Sequence, residues 1–529
     1  MIGVRGLMVV LREEVIRSLK LNRDLSKLLD QALELDRTIK IGWTRDGEPV
    51  PKKDEMGISP ALPKKGRVRL LGNLGDMVCI LCNEGTFTLE GSAKNYFGAW
   101  NSGANLIVER NVANYLGYKM NSGKITVRDG TGDGLGSGMS GGLIIARGDA
   151  GEKVGELMSG GTIIVHGDIG KEAGLGMTGG RIIVNGRCPK IGVGAAITTL
   201  TKEDVKSINN EIEDESLQIP GDVICLIPKS ESLEKIISPK LHSVGDWIDI
   251  GIMPAVESNS KISGNSIDTI AILGDRQIPE DLPERSKLGL KIPIMSFVNS
   301  GKEKSANNIR LVNNNPKSND LLQADANDIS SKLKWIGKCE GLVFDMSTMP
   351  KMSSETVDGL IVALRSIMMQ EKLLLISGNI DRVEKLHSLV KAHDLDGCIV
   401  NLASISGAHV SAALPRIGRS IKSHNINGNS QPTIVKLDWN ISAKDVIISL
   451  AAGSQIVCSS ESVKGNATGS EDWFENISAE IRGYLSEMGV DSIEKLSRKN
   501  LRALTYETAA ITGLRLIGYD RPLPHWFSN

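Results

Sequence analysis

Apolar and polar positions follow three successive rhythms along this chain. In LREEVIRSLKLNRDLSKLLDQALELD, residues 11–36, Leu, Val and Ile recur at helical spacing with charges between them, which predicts amphipathic helix. Asn22-Arg23-Asp24 divides that pattern into two helices. The following TRDGEPVPKKDEMGISPALPKKG is rich in Pro, Gly and charge and reads as a linker. Residues 1–65 are therefore an N-terminal helical segment with its linker.

The second rhythm is a repeat. Gly98, Gly117, Gly136, Gly155 and Gly174 stand 19 residues apart. Three positions later come Asn101, Met120, Met139, Met158 and Met177, and six positions later Ala104, Gly123, Gly142, Gly161 and Gly180. Apolar pairs follow at eight and ten: Leu106/Val108, Ile125/Val127, Ile144/Ala146, Ile163/Val165 and Ile182/Val184. A weaker copy begins at Cys79, with Gly85, Phe87 and Leu89 in register. Period-two alternation of β-branched residues after a glycine turn predicts a strand in each copy. A fixed short period predicts a solenoid, since one coil is too small to bury its own apolar face. The expectation for residues 66–200 is a single-stranded parallel β-helix of about six 19-residue coils, with glycines supplying positive φ at the corners. At ~4.8 Å per coil the column is roughly 29 Å long.

Residues 201–235 begin acidic and polar and end in GDVICLIP, a linker followed by a strand. From 236 to 515 the rhythm becomes α/β. Strand-like runs fall at 268–273, 292–297, 341–345, 373–377, 397–402, 433–438 and 455–458, with helical patterns such as SSETVDGLIVALRSIMM, NIDRVEKLHSLVKAH and SAKDVIISLAAG between them. Alternating strands and helices imply a parallel sheet, open or closed as a barrel. Residues 516–529 are a C-terminal tail.

Composition narrows the classes. The chain has 529 residues, with 62 Lys+Arg against 63 Asp+Glu, and 4% aromatics. Near-zero net charge gives no electrostatic case for nucleic acid or an anionic membrane surface, and few aromatics weaken base stacking. The seven cysteines are scattered, which fits a reducing cytoplasm better than a disulfide framework. No apolar run approaches the ~20 residues of a membrane span, and Arg5, Arg12, Glu13 and Glu14 interrupt the N-terminal one. Cys79-x-x-Cys82 has no second pair at metal-ligand spacing and reads as packing in the first coil. The glycines of Gly132–Gly138 lie within the repeat and open no helix, so they read as solenoid corners rather than a nucleotide loop.

The repeat G-x-x-M-x-G-G-x-I-I-V-x-G-D resembles the glycine-rich β-helix of the glutamate synthase large subunit. The segments IPIMSFVNSG, DGCIVNLASISGAH, TIVKLDWNISAKDVIISLAAGSQIV and AEIRGYLSEMGVDSIEKLSRKNL resemble parts of that family's flavin-binding barrel. A related repeat occurs in a subunit of formylmethanofuran dehydrogenase, a reading the barrel segments speak against. The resemblance covers 67–200 and 236–503 and implies a divergent (β/α)8-type barrel behind the β-helix, the reverse of the family's order. It also implies that no glutaminase is present, because the N-terminal cysteine nucleophile is missing.

Against that family the barrel has lost its chemistry. A flavin phosphate needs glycines for close backbone approach, yet Asp438 is followed by Trp439 and Asn440, and the next glycine turn falls on Cys458, Ser459 and Ser460. Only Gly407 remains of a glycine loop now continuing Ala408, His409, Val410. The strand lysine falls near Ile376 or Ser377. The segment ESVKGNATGSEDW holds no cysteine, so no Fe–S cluster is expected. The resemblance thus implies no cofactor, with FMN disfavoured, and no metal. The residual ligand-loop candidates are Ser296, Gly407, His409, Lys436 and Asp438, and no catalytic residue is assigned. His387 and His393 read as solvated on a polar helix face.

Two functions follow from the resemblance. One is a scaffold or subunit of a glutamate synthase-like oxidoreductase in nitrogen assimilation, partnered by glutamate synthase-like subunits or by itself. The alternative is an active flavin-dependent oxidoreductase with an altered cofactor site.

Overall fold

The structure is a computed structural model that describes residues 2–42, 54–229, 244–255, 290, 292–302, 309–368, 372–459, 471–519 and 521–522. The chain forms two compact units: residues 1–237 with 329–333 and 350–369, and the remainder.

The first unit opens with α1 (Ile2–Glu34), one unbroken helix rather than two. Asn22 does not break it because tertiary bonds hold its amide: Nδ2 donates to the Gly57 carbonyl at 2.8 Å, and Oδ1 accepts from the Ser59 N–H at 2.7 Å. Leu25 and Leu29, one turn apart, are buried in the unit's core. Ten strands follow in chain order: β1 (Ile39–Ile41), β2 (Arg67–Leu71), β3 (Thr86–Glu90), β4 (Ser102–Val108), β5 (Ser122–Val127), β6 (Ser140–Ala146), β7 (Ser159–Val165), β8 (Gly179–Val184), β9 (Ala195–Thr198) and β10 (Ile224–Pro228), with α2 (Lys202–Asn210) between the last two. They make one sheet in the order β1 to β8, then β10, then β9. β1 to β8 run parallel, and β10 is antiparallel to both its neighbours.

Register in this sheet is the sequence repeat made physical. Phe87 faces Leu106, then Ile125, Ile144, Ile163 and Ile182, each step 19 residues. All six side chains are fully buried in one core. A second line of parallel bridges joins Ala93, Val112, Thr131, Ala150 and Ile169 at the same interval. Side chains link the turns too: the Oδ1 atoms of Asp76, Asn95, Asn114 and Asp133 each accept the N–H nineteen residues on, at 2.8–3.1 Å. At Gly136, φ is +66° and a Cβ would collide with Ile163. Glycine is not the whole corner, however. Tyr96, Trp100, Tyr115, Lys119, Lys153 and Leu157 also take positive φ, a strained choice for side-chained residues. At two of these corners stacking favours it, with the Tyr96 and Tyr115 rings 4.9 Å apart. Cys79 and Cys82 are buried free thiols in this core.

The second unit contains β11 (Ile250–Ile252) and a closed barrel of eight parallel strands: β12 (Ile294–Ser300), β13 (Arg310–Asn314), β14 (Leu321–Asp325), β15 (Gly341–Asp345), β16 (Leu373–Asn379), β17 (Cys398–Asn401), β18 (Thr433–Leu437) and β19 (Ile456–Ser459). Ile294 against Val457 closes it. Helices α3 (Ile329–Ile336), α4 (Ser354–Ile367), α5 (Val383–Ala392), α6 (Ala413–Ser423), α7 (Ala443–Ala452) and α8 (Glu471–Glu487) follow the strands from β14 onward, as in a (β/α)8-type barrel. β20 (Leu501–Ala503) pairs with β11, and α9 (Tyr506–Thr512) follows. Helix α4 belongs to the first unit, where it packs against α1 and Thr356 donates to the Asp76 carboxylate.

Six of the predicted strand runs coincide with barrel strands; the run at 268–273 lies outside the described residues. β13 and β14 escape the sequence pattern. Only residues 315–320 separate them, with no helix between, whereas parallel neighbours ordinarily need a longer crossover. A buried ion pair closes this short link: Arg310 reaches both Asp320 oxygens at 2.7 and 2.9 Å. A charge at each place made two strands read as loop. Among the described residues, no helix is long and apolar enough to cross a membrane.

Candidate functional site

Parallel barrels present ligand-contacting groups at the carboxyl ends of their strands, where side chains from separate strands converge. Here an open pocket lies among such ends. Its lining comes from Leu311 on β13, Gln323 on β14, Asp345 on β15 with Ser347 just after it, Ser377, Gly378 and Asn379 on β16, Ile399 and Asn401 on β17, and Lys436 on β18. The strand registers explain the convergence: Asp325 faces Asp345, Asp345 faces Ser377, and Asn401 faces Lys436.

Among the described residues, two polar atoms in this wall lack a hydrogen-bond partner: Ser377 Oγ and Asn379 Oδ1. Their residues are 7% and 3% exposed. They sit two apart on β16, so both project to the same side of the strand. A buried polar atom left unpaired is destabilising, and native proteins satisfy nearly all of them. The ammonium of Lys436 lines the same pocket, 3.4 Å from Gln323 Oε1 and 4.1 Å from the centre of the Phe297 ring, a cation–π geometry. Asp345 accepts the Ser347 N–H at 2.8 Å. Burial pushes its carboxyl above the usual carboxylate range; Ser347 pulls it back, Asp325 adds to the rise and Lys436 opposes it. Among the described residues no group of three or more His, Cys, Asp and Glu is placed to hold a metal ion.

Of the residues singled out from sequence, Lys436 reaches this pocket. Ser296 is buried between Met295 and Phe297, which belong to the barrel interior, so strand alternation turns it to the other side. Gly407 has positive φ and open space where a Cβ would stand. His409 caps a short 3-10 turn, its Nδ1 accepting the Ser411 N–H at 3.2 Å, and its ring packs on Gly245. Asp438 is half-buried outside the pocket lining. Beside it Trp439 meets Trp247 edge-on, centroids 5.5 Å apart. Cys458 is buried in the barrel interior, and Ser460 lies outside the described residues. His387 is not solvated: it is fully buried, with Nδ1 at 2.7 Å from Ser420 Oγ and Nε2 at 3.0 Å from Thr433 Oγ1. Sequence reading missed Gln323, Asp345, Ser377, Asn379 and Asn401. Their signal was positional: each stands at or near the carboxyl end of a barrel strand.

Comparison with known proteins adds a likeness of fold. No protein-family model matches the chain, and no curated protein matches it. Among solved structures it is similar to a flavocytochrome b2 mutant at 14% identity, covering 51% of this chain and 79% of that one, with a TM-score of 0.34. A flavocytochrome b2 mutant with benzoylformate gives 12% identity, 48% and 75% coverage and 0.32. A soluble mutant of the membrane-associated (S)-mandelate dehydrogenase from Pseudomonas putida gives 12%, 48%, 88% and 0.30. Such values assign no activity, and the barrel stands here on its own strand pairing.

The glutamate synthase resemblance is corrected by these findings: the structures matched are flavocytochrome b2 and (S)-mandelate dehydrogenase. With it go the glutamate synthase subunit or scaffold, its place in nitrogen assimilation and the degenerate-enzyme reading. The expectation of a barrel without flavin is corrected too. It rested on counting positions from glutamate synthase, which made Trp439 and Asn440 replacements for phosphate-binding glycines; without that alignment the two residues carry no such meaning, and flavocytochromes are among the structures matched.

Proposed function

We propose that the barrel is a receptor site for a small organic anion, bound at the carboxyl ends of β14 to β18 by Lys436. The observation that carries this reading is the pair of unpartnered atoms, Ser377 Oγ and Asn379 Oδ1, buried in a pocket wall that also holds the Lys436 ammonium, whose contacts are Gln323 and the Phe297 ring. A ligand oxygen satisfies the serine hydroxyl, a ligand O–H or N–H satisfies the amide carbonyl, and the ammonium balances the charge. Leu311 and Ile399 give the wall apolar surface for a short carbon skeleton.

Calorimetric titration with small carboxylates tests this. Lys436→Met is expected to weaken binding at least ~10-fold, since a charge-assisted hydrogen bond contributes about 1.5–3 kcal/mol. Equal affinity in the two proteins would reject Lys436 as the anion's partner. The visible spectrum of the purified protein independently reports any flavin carried through purification.

For the first unit we propose a single-stranded parallel β-helix of 19-residue coils, supported by the constant register. A reducing, cytoplasmic setting is supported by the seven cysteines standing outside any disulfide.

A further inference from the structure

We propose that Asp345 is the proton-holding group of the barrel pocket, so that an anion enters together with one proton taken up on the Asp345 carboxylate. This rests on the anion-site reading above and adds a linkage to it. The geometry is specific. Asp345 ends β15 in the pocket wall, in register with Ser377 on one side and Asp325 on the other. Its carboxyl group accepts the Ser347 N–H, and it shares the pocket with the unpartnered Ser377 Oγ and Asn379 Oδ1.

The charged groups around it come from several elements. Asp325 on β14 repels its negative charge, and Lys436 on β18 attracts it. Arg382, after β16, donates to the Met346 carbonyl at 3.2 Å and so packs on the turn that follows Asp345. An anion arriving at Lys436 takes up the cation's field and sets a second negative charge beside Asp345. Two like charges sharing a poorly solvated site do not both stay ionised, and the carboxyl takes a proton. The proton comes from solvent and forms an O–H bond on Asp345; no bond in the ligand breaks. The neutral carboxyl then donates a hydrogen bond to the bound anion.

The test is titration of the full chain with glycolate and with oxamate, both carrying a hydrogen-bond donor and both ionised in this range, at pH 5 and pH 7.5. The wild type is expected to bind at least ~10-fold more weakly at pH 7.5, because uptake of one proton costs about tenfold in affinity per pH unit above the group's pKa. Asp345→Asn keeps the neutral donor at every pH, so it should hold its affinity within about twofold between the two and bind more tightly than wild type at pH 7.5. A wild-type affinity that does not change with pH, or an unchanged pH dependence in Asp345→Asn, overturns the linkage and leaves the anion site standing. No binding of either acid by either protein at either pH overturns both. Circular dichroism of the variant checks that it folds.

Discussion

His387 shows what a single residue contributes when both ring nitrogens are engaged. Enclosed between Ser420 and Thr433, it has its pKa pushed down to about 4, first by burial and then by His424. The unfolded chain binds a proton near pH 6.5 and the folded one does not until about pH 4, so between these values the unfolded state holds more protons. Stability therefore rises with pH across that window and is lost on acidification through it. The shift corresponds to roughly 3 kcal/mol at one pKa unit per 1.36 kcal/mol. Urea unfolding at pH 7 and pH 4.5 measures it: His387→Gln should be less stable than wild type at pH 7 and lose less on acidification. An equal loss in both would place the acid sensitivity elsewhere. The same residue shows why sequence misled: its helical spacing was read correctly, but which helix face is covered is decided by elements distant in the chain.

At the scale of elements, the link from β13 to β14 is where local rules fail. Six residues connect parallel neighbours, and the Arg310–Asp320 pair, 3% and 2% exposed at its side chains, stands at the join. Arg310 also donates to the Gly301 carbonyl at 3.1 Å and Asp320 accepts the Lys317 N–H at 2.7 Å, so both charges are held by further bonds. Removing one partner strands a buried charge, which typically destabilises by about 3–5 kcal/mol. Arg310→Met is expected to lower the barrel's unfolding free energy by an amount of that order, and Arg310→Met with Asp320→Leu to recover a large part of it. A double variant no better than the single would show that the pair's geometry, not its stranded charge, holds the link. The candidate site was hidden for a related reason. Lys436 stood out as a ligand-loop candidate within the predicted strand at 433–438. Gln323, Ser377 and Asn379 are ordinary polar residues until closure brings them together, with Gln323 and Lys436 113 positions apart in sequence yet hydrogen-bonded.

At the scale of the molecule, the two units differ in how far sequence specifies them. The repeat was legible in the sequence because every repeat presents the same strand register to the next: Ile144 meets Ile163 for the reason that Ile163 meets Ile182. Barrel strands obey no copy rule, and their order follows only from closure. Stability in a stacked array is a sum of coil and nearest-neighbour terms, so excision of one whole repeat should be tolerated where half a repeat is not. Deleting residues 102–120 removes one 19-residue period and joins Asn101 to Asn121, leaving Phe87 and Leu89 to stack on Ile125 and Val127, with Asp76 and Asn95 still offering side-chain Oδ1 acceptors to the next repeat. The segment from Glu215 to Leu217 keeps its contacts, because Arg128 and His166, which meet Asp214 and Leu217, lie beyond the cut. Deleting residues 102–110 instead leaves the repeats on the two sides of the cut out of phase with each other, so the buried positions at that junction lose their stacking partners. The full-period deletion is expected to retain the far-ultraviolet strand signal and a cooperative melt at lower temperature, and the half-period deletion to lose both. If the two deletions behave alike, the coils are not the independent units that their register describes.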